Sequence, residues 1–131
     1  MRLLLDTHAF LWWVTDSENL SPKARQAIGD RANEILVSAA SVWEIAIKYR
    51  LGRLPNAEVF VYGIDEHLVR TLGFFDLPIS LSHAKRAGLL PIYKDHKDPF
   101  DRMLIAQALA EDVQLVSNEA LFDSYFVHRL W

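Results

Sequence analysis

Apolar positions along the chain fall into short runs separated by polar turns. Residues 2–5 form an apolar run that ends on Asp6, and residues 34–37 form a second run that ends on Ser38. Neither run alternates with polar residues, which is typical of parallel strands buried on both faces. Further strands are predicted over residues 114–117, over 126–128 and over 74–79, where Pro78 favours a position at the sheet edge.

Helices are predicted between these strands because apolar residues recur at helical spacing. They cover residues 9–14, 22–29, 39–51, 56–72 and a short segment that begins at Ser80 or Ser82 and ends near Gly88. The clearest helix runs to Ala110 and begins at Asp98, a capping residue, with Pro99 at the first helical position. Strands that alternate with helices indicate the doubly wound α/β class, with a parallel sheet covered on both sides.

Composition supports one globular domain over residues 1–131, with 51% hydrophobic residues. The absence of cysteine excludes disulfides and thiolate metal sites, and it fits a reducing cytoplasm. No apolar stretch approaches the roughly 20 residues that a membrane-spanning helix needs. The net charge of −3 argues mildly against a nucleic-acid partner, although acids concentrated around a metal could hide a local basic surface. We therefore expect a cytoplasmic protein that does not bind membranes.

Four acidic residues are predicted to lie at one end of the sheet. Asp6 and Glu119 follow strands directly, and Asp101 lies in the first turn of the helix that leads into the last long strand. A helix that feeds a parallel strand runs antiparallel to it, so its first turn is at the carboxyl edge as well. Glu44 lies within an apolar run early in the helix that follows residues 34–37. Ligands of open α/β sheets bind at this edge.

Each acid also has a local explanation. Asp98 and Asp101 could form a capping pair, Ser41 and Glu44 a capping box, and Glu44 with Lys48 a surface ion pair. Clustered carboxylates, however, repel one another unless a cation neutralises them. Oxygen ligands suit Mg²⁺ or Mn²⁺, which activate water and compensate charge on a phosphate. Metal-dependent phosphodiester cleavage is the chemistry that this pattern favours.

Four segments, in this order and spacing, resemble PIN-domain ribonucleases, specifically VapC-like toxins of type II toxin–antitoxin pairs. They are LLLDTHAFLWW, SAASVWEIAIK, HKDPFDRMLIAQALA and LVSNEALF. The resemblance covers essentially the whole chain. It implies a three-layer α/β/α fold with a central, mostly parallel sheet of four to five strands. It also implies a cytoplasmic Mg²⁺- or Mn²⁺-dependent endoribonuclease, a homodimer that is held inactive by a cognate antitoxin.

Site residues follow from this resemblance by position. Asp6, Glu44 and Asp101 match the first three acids of the family, as catalytic residues and metal ligands. Glu119 stands where the fourth acid is usually aspartate, so it is expected to bind metal through water. The residues expected to support these acids, as hydrogen-bond partners or caps, are Thr7, Asp98, Ser117 and Asn118.

Other polar residues near these segments are candidates for contact with RNA. Lys94, Lys97 and Arg102 flank the acids and could bind phosphates, although a solvated face explains them equally well. His8 and His96 are expected at the surface or facing RNA. The helix after Ser38 and the segment 56–72 are predicted to form an apolar groove for an antitoxin segment.

Three alternatives remain open from the sequence. A receiver-like signalling domain would also hold Mg²⁺ in an acidic pocket, but the strands ending before Ser38 and Ser80 offer no phosphoacceptor aspartate. A phosphatase with Asp6 as nucleophile lacks the second aspartate of the D-x-D pattern, because residue 8 is histidine. A non-catalytic binding module stays open because position 119 is glutamate where the family usually has aspartate.

Overall fold

Five short strands form the centre of the molecule, and every neighbouring pair is parallel. The computed structural model describes residues 1–131. The strands are β1 (Arg2–Leu5), β2 (Glu34–Ser38), β3 (Phe75–Leu77), β4 (Gln114–Val116) and β5 (Arg129–Leu130). Their order in the sheet is β3-β2-β1-β4-β5, so the expected parallel sheet of four to five strands is confirmed.

Seven α-helices connect the strands, and the last connection is a 3₁₀ helix. The helices are α1 (Thr7–Val14), α2 (Pro22–Gly29), α3 (Ala39–Arg50), α4 (Glu58–Gly63), α5 (Glu66–Thr71), α6 (Leu81–Leu89) and α7 (Pro99–Glu111), and the 3₁₀ helix covers Ala120–Tyr125. None of them combines the length and apolar character needed to cross a bilayer.

Two apolar clusters cover the two faces of the sheet. Along β1, Leu3 and Leu5 contact one cluster, which includes residues of α1, α2, α3 and α5. Leu4 points to the other cluster, which includes residues of α7 and of the 3₁₀ helix. Because successive side chains of a strand face opposite ways, an uninterrupted apolar strand requires a helical layer on each side. The expected three-layer α/β/α arrangement is therefore confirmed.

Two predicted elements differ from the structure. The predicted helix over residues 56–72 is broken after Gly63, because Ile64 is extended and Asp65 caps a new helix by accepting a hydrogen bond from the Leu68 amide at 2.8 Å. The last strand lies at Arg129–Leu130 rather than 126–128. Phe126 has a φ of +64°, which ends the 3₁₀ helix and delays the extended backbone.

Candidate active site

A pocket of about 330 Å³ opens at the carboxyl edge of the sheet, beside β1 and β4. From β1 the chain continues to β2 on one side, and β4 lies on the other side. Ligands bind at such a reversal of strand order in open α/β sheets, because the connecting loops separate there. We call this cavity the acid pocket, and its lining residues are Asp6, His8, Trp12, Asp101, Asn118, Glu119 and Phe122.

Asp6 lies at the junction of β1 and α1 and is 6% exposed. It caps α1, because its Oδ1 accepts a hydrogen bond from the Ala9 amide at 2.7 Å. Burial raises the pKa of Asp6, while contacts from the Ser117 hydroxyl and the Ala9 amide act in the opposite direction. The negative charge of Glu44 raises this pKa further.

Asp101 lies in the first turn of α7, which Asp98 caps through hydrogen bonds from the amides of Phe100 and Asp101. Burial raises the pKa of Asp101 to about 6, and the charges of Asp98 and Glu44 act in the same direction. A hydrogen bond with His96 lowers it in part. The carboxylates of Asp6, which is buried, and of Asp101, which is partly buried, are thus groups whose ionised forms the protein alone does not fully stabilise.

Glu44 lies next to the acid pocket without lining it. Its Oε1 accepts a hydrogen bond from the Thr7 hydroxyl at 2.6 Å, and its Oε2 is 3.0 Å from Lys48 Nζ. The ion pair with Lys48 that the sequence allowed is therefore present. The capping box of Ser41 with Glu44 is absent, because Ser38 caps α3 instead. Glu44 nevertheless acts on the pocket, since its charge raises the pKa of both Asp6 and Asp101.

Glu119 lies at the rim of the acid pocket, where it is exposed. Its Oε1 accepts a hydrogen bond from the Leu121 amide at 3.1 Å and so caps the 3₁₀ helix. Its own amide donates to Ser117 Oγ at 3.0 Å, and Asn118 lines the pocket beside it. The structure thus places Asp6, Asp101 and Glu119 on one pocket, with Glu44 adjacent.

The donor set of the acid pocket fits a hard divalent cation. No three histidine, aspartate or glutamate side chains come together in a group that could hold a metal ion. Mg²⁺, however, is usually bound by one or two carboxylates and keeps several waters, so a closed cage is not required. Asp6 supplies a buried carboxylate and Asp101 a partly buried one, and a bound cation would offset the burial and the charge of Glu44 that raise their pKa values.

Arg102 does not line the acid pocket and is not available to substrate phosphates, contrary to the expectation from its position in the sequence. It is 8% exposed. Its guanidinium donates hydrogen bonds to four backbone carbonyls, those of Ala87, Leu90, Pro91 and His96, at 2.6 to 3.4 Å. A planar group with five N–H donors suits this task, and the result is that Arg102 holds the loop between α6 and α7.

The remaining predicted contacts with RNA divide into exposed and buried residues. Lys94 and Lys97 are exposed and lie outside the acid pocket, and Lys97 Nζ is 2.9 Å from Asp95 Oδ1. His8 is exposed at the pocket and stacks on Trp12, with ring centroids 5.3 Å apart. His96, expected at the surface, has a side chain that is only 8% exposed and contacts Asp101.

Sequence reasoning missed two contacts near the site. His96 was expected at the surface or facing RNA and not in contact with Asp101, and Tyr125, which contacts its other ring nitrogen, was not identified as a site residue. The position of His96 five residues before Asp101, in the same polar segment, could have indicated a shared role. Nothing in the sequence relates Tyr125 to residues 29 positions earlier.

An apolar groove of about 430 Å³ lies between α3, α5 and β3. Eight of its twelve lining residues are hydrophobic, and its polar members include three acids. We call it the apolar groove, and its lining residues are Val37, Ala39, Val42, Trp43, Ala46, Ile64, Asp65, Glu66, Val69, Asp76, Leu77 and Pro78. Trp43 is 60% exposed there and packs edge-on against Phe100, which precedes Asp101.

Comparison with known proteins identifies a family and related sequences. Residues 3–125 match the PIN domain family. Ribonuclease VapC22 of Mycobacterium tuberculosis is 33% identical over 126 residues, which cover 94% of this chain and 91% of that one. Ribonuclease VapC16 of the same organism is 43% identical over 65 residues, and the match covers 50% of this chain and 44% of that one.

Several solved structures have the same fold as this chain. One is VapBC2 from Rickettsia felis bound to a promoter DNA fragment, with a TM-score of 0.69 at 18% identity over 99% of this chain and 98% of that one. Another is FitAcB from Neisseria gonorrhoeae, with a TM-score of 0.67 at 18% identity over 98% and 96% of the two chains. At this identity the likeness shows the fold alone.

Proposed function

Since the chain belongs to the PIN domain family, we propose that it is an endoribonuclease that acts as the toxin of a toxin–antitoxin pair. The observation that carries this proposal is the acid pocket, where Asp6, Asp101 and Glu119 meet at the strand-order reversal of the sheet. Its relative VapC22 is named a ribonuclease, and the fold neighbours include VapBC2. The direct test is cleavage of RNA by purified, antitoxin-free protein with Mg²⁺ or Mn²⁺, and its loss in EDTA.

Asp6 and Asp101 would hold the Mg²⁺ or Mn²⁺ ion, with Glu44 and Glu119 acting through water. When bound, such a cation lowers the pKa of its water ligand and offsets charge on the phosphate. Asp6 is fixed by its cap hydrogen bond to α1, and Thr7 keeps Glu44 beside the pocket. Asn118 lines the pocket, where it could hold a polar group of the substrate, and the buried Ser117 hydroxyl accepts a hydrogen bond from the Glu119 amide.

RNA would approach the acid pocket from its open side. His8 and Trp12 line the pocket, and the exposed side chains of Lys94 and Lys97, the latter paired with Asp95, could attract phosphates at longer range. Arg102 is not part of this surface, since its donors are bound to backbone carbonyls.

Metal binding is expected to stabilise the protein mainly above pH 6. Asp101 has a pKa of about 6 in the folded chain, against 3.8 as its ordinary value. The folded state therefore holds the Asp101 proton more tightly, and this residue lowers the stability of metal-free protein as pH rises from about 4 to 6. A cation that replaces the proton should raise the Tm at pH 7.5 and have little effect at pH 5. Thermal unfolding with and without Mn²⁺ at both pH values measures this.

The same measurement on Asp6→Asn separates this site from other metal sites. The variant removes one ligand charge, so its Tm should not respond to Mn²⁺ at pH 7.5. Asp16→Asn is the control, because Asp16 is exposed and pairs with Arg25 away from the pocket. An equal Mn²⁺ response in wild type and Asp6→Asn would contradict the assignment of Asp6.

The partner that we propose for the apolar groove is a segment of the cognate antitoxin. The groove combines eight hydrophobic residues with the acids Asp65, Glu66 and Asp76, so it suits an apolar segment with basic side chains. Trp43 and Phe100, which pack together beside it, directly precede Glu44 and Asp101. A basic side chain of the antitoxin could therefore reach the acid pocket and neutralise it.

Trp43→Ala is expected to weaken antitoxin binding by about 30-fold or more, since exposed tryptophans in a groove are typical hot spots worth about 2 kcal/mol or more. The measurement is titration calorimetry with the purified antitoxin. Val59→Ala is the control, because Val59 is 90% exposed and lies outside the groove. Unchanged affinity in Trp43→Ala would mean that the antitoxin binds elsewhere.

We further propose that residues 1–131 form one domain, because both apolar clusters pack on the same sheet. A homodimer in the cytoplasm is proposed from the family.

A further inference from the structure

His96 connects a tyrosine to a carboxylate of the acid pocket. Its Nε2 is 3.0 Å from Asp101 Oδ2, and its Nδ1 is 2.9 Å from the Tyr125 hydroxyl. The His96 side chain is 8% exposed and Tyr125 is 4% exposed, so water competes little for these contacts. Both ring nitrogens of His96 are therefore occupied.

The direction of these hydrogen bonds follows from the groups themselves. An ionised carboxylate can only accept, so the hydrogen of a neutral His96 is on Nε2 and is donated to Asp101. Nδ1 then has a lone pair and accepts the hydrogen of the Tyr125 hydroxyl. Because a histidine nitrogen is an acceptor when the other carries the proton, Tyr125 fixes the tautomer that binds Asp101.

The loop that carries His96 is itself held in place. Arg102 donates to the carbonyls of Leu90, Pro91 and His96, which brings the loop between α6 and α7 against the start of α7. Asp98 caps the same helix. These contacts fix the segment from His96 to Arg102 and so hold the imidazole of His96 against Asp101.

We propose that His96, oriented by Tyr125, is a positioning residue that occupies Asp101 Oδ2 and leaves Oδ1 as the oxygen that binds the divalent cation. This inference rests on the proposed function. A carboxylate with one oxygen fixed keeps a single orientation, whereas a free one rotates about its last bond. Partners that orient a metal ligand in this way typically contribute 10–100-fold to metal affinity or activity.

The test is Mn²⁺ affinity, measured by electron paramagnetic resonance of free Mn²⁺, on the purified protein and four variants. His96→Ala should raise the Kd about 10–100-fold, because nothing then holds Oδ2. His96→Gln should recover part of the affinity, since its amide can donate to the same oxygen. Tyr125→Phe keeps the ring, which packs against Tyr93, and removes only the hydroxyl, so it should weaken binding less than His96→Ala does.

His83 provides a matched control within the same chain. It is also buried, at 5% exposure, and its Nε2 is 3.1 Å from Glu111 Oε1, so His83→Ala breaks an equivalent contact between histidine and carboxylate. Glu111 ends α7 at the far end from Asp101. His83→Ala is therefore expected to lower the Tm and leave the Kd for Mn²⁺ unchanged.

The outcomes separate this inference from the proposed function. Wild-type protein that binds Mn²⁺ and cleaves RNA, with an unchanged Kd in His96→Ala, would overturn the positioning role alone. Equal losses in His96→Ala, His96→Gln and His83→Ala would also overturn it, because general destabilisation would then explain them. A wild-type protein with no saturable Mn²⁺ binding would overturn both. If His96→Ala does not fold, Tyr125→Phe decides, and an unchanged Kd there contradicts the proposal.

Discussion

Asp6→Asn and Asp101→Asn are each expected to reduce RNA cleavage by about 1000-fold or more, since losing a metal ligand removes several kcal/mol of charge compensation at the phosphate. Both carboxylates line the acid pocket, and each variant removes one of the negative charges that would hold the cation there. Asparagine keeps the shape of each side chain and, at position 6, the oxygen that caps α1. The measurement is initial cleavage rate with purified, antitoxin-free protein in Mg²⁺ or Mn²⁺, and in EDTA.

Glu119 should behave differently from these two residues. It is exposed at the rim, caps the 3₁₀ helix, and reaches further than aspartate. Glu119→Asp should retain substantial activity, and Glu119→Gln should lose part of it. Asp112→Asn is the matched control, because Asp112 is exposed and its φ of +52° suits asparagine equally well. Cleavage that persists in EDTA or survives Asp101→Asn would mean that the carboxylates are not the catalyst, and would favour a non-catalytic binding module.

Arg102→Met is expected to lower the free energy of unfolding by about 3 kcal/mol, because it leaves one buried and three partly buried carbonyls without this donor. Methionine preserves the apolar part of the side chain, so the loss reflects the hydrogen bonds to Ala87, Leu90, Pro91 and His96. Urea unfolding measures this as a lower midpoint, with no change in the dependence on urea concentration.

Lys97→Met is the control for this loop. Lys97 and its partner Asp95 are both largely exposed, and such ion pairs contribute about 0–1 kcal/mol. We expect a change of less than about 0.5 kcal/mol in that variant. Similar losses in Lys97→Met and Arg102→Met would show that Arg102 does not hold the loop through its carbonyl contacts.

The strands and the cap of α7 could be predicted from the sequence because each depends on neighbouring residues in the chain. β1 and β2 are continuous apolar runs, and Asp98 caps α7 as predicted. The cap of α3 is Ser38 rather than the Ser41 of the expected capping box. The single helix predicted over residues 56–72 is two helices in the structure. Asp65 caps the second of them, although the apolar residues continue at helical spacing across the break. The last strand was displaced because the left-handed backbone at Phe126 is a property of one residue in a turn, which apolar patterning does not report.

The sequence by itself determined the α/β class, the parallel sheet and the placement of Asp6, Asp101 and Glu119 at one pocket, because strand ends and first helical turns share the carboxyl edge. Only the tertiary structure decided which partners the long polar side chains bind. Arg102 and His96 are flexible side chains that could reach solvent or protein, and their partners are set by loops folded against them. The contact of His96 with Tyr125 joins residues 29 positions apart, so its existence depends on packing rather than on any local pattern.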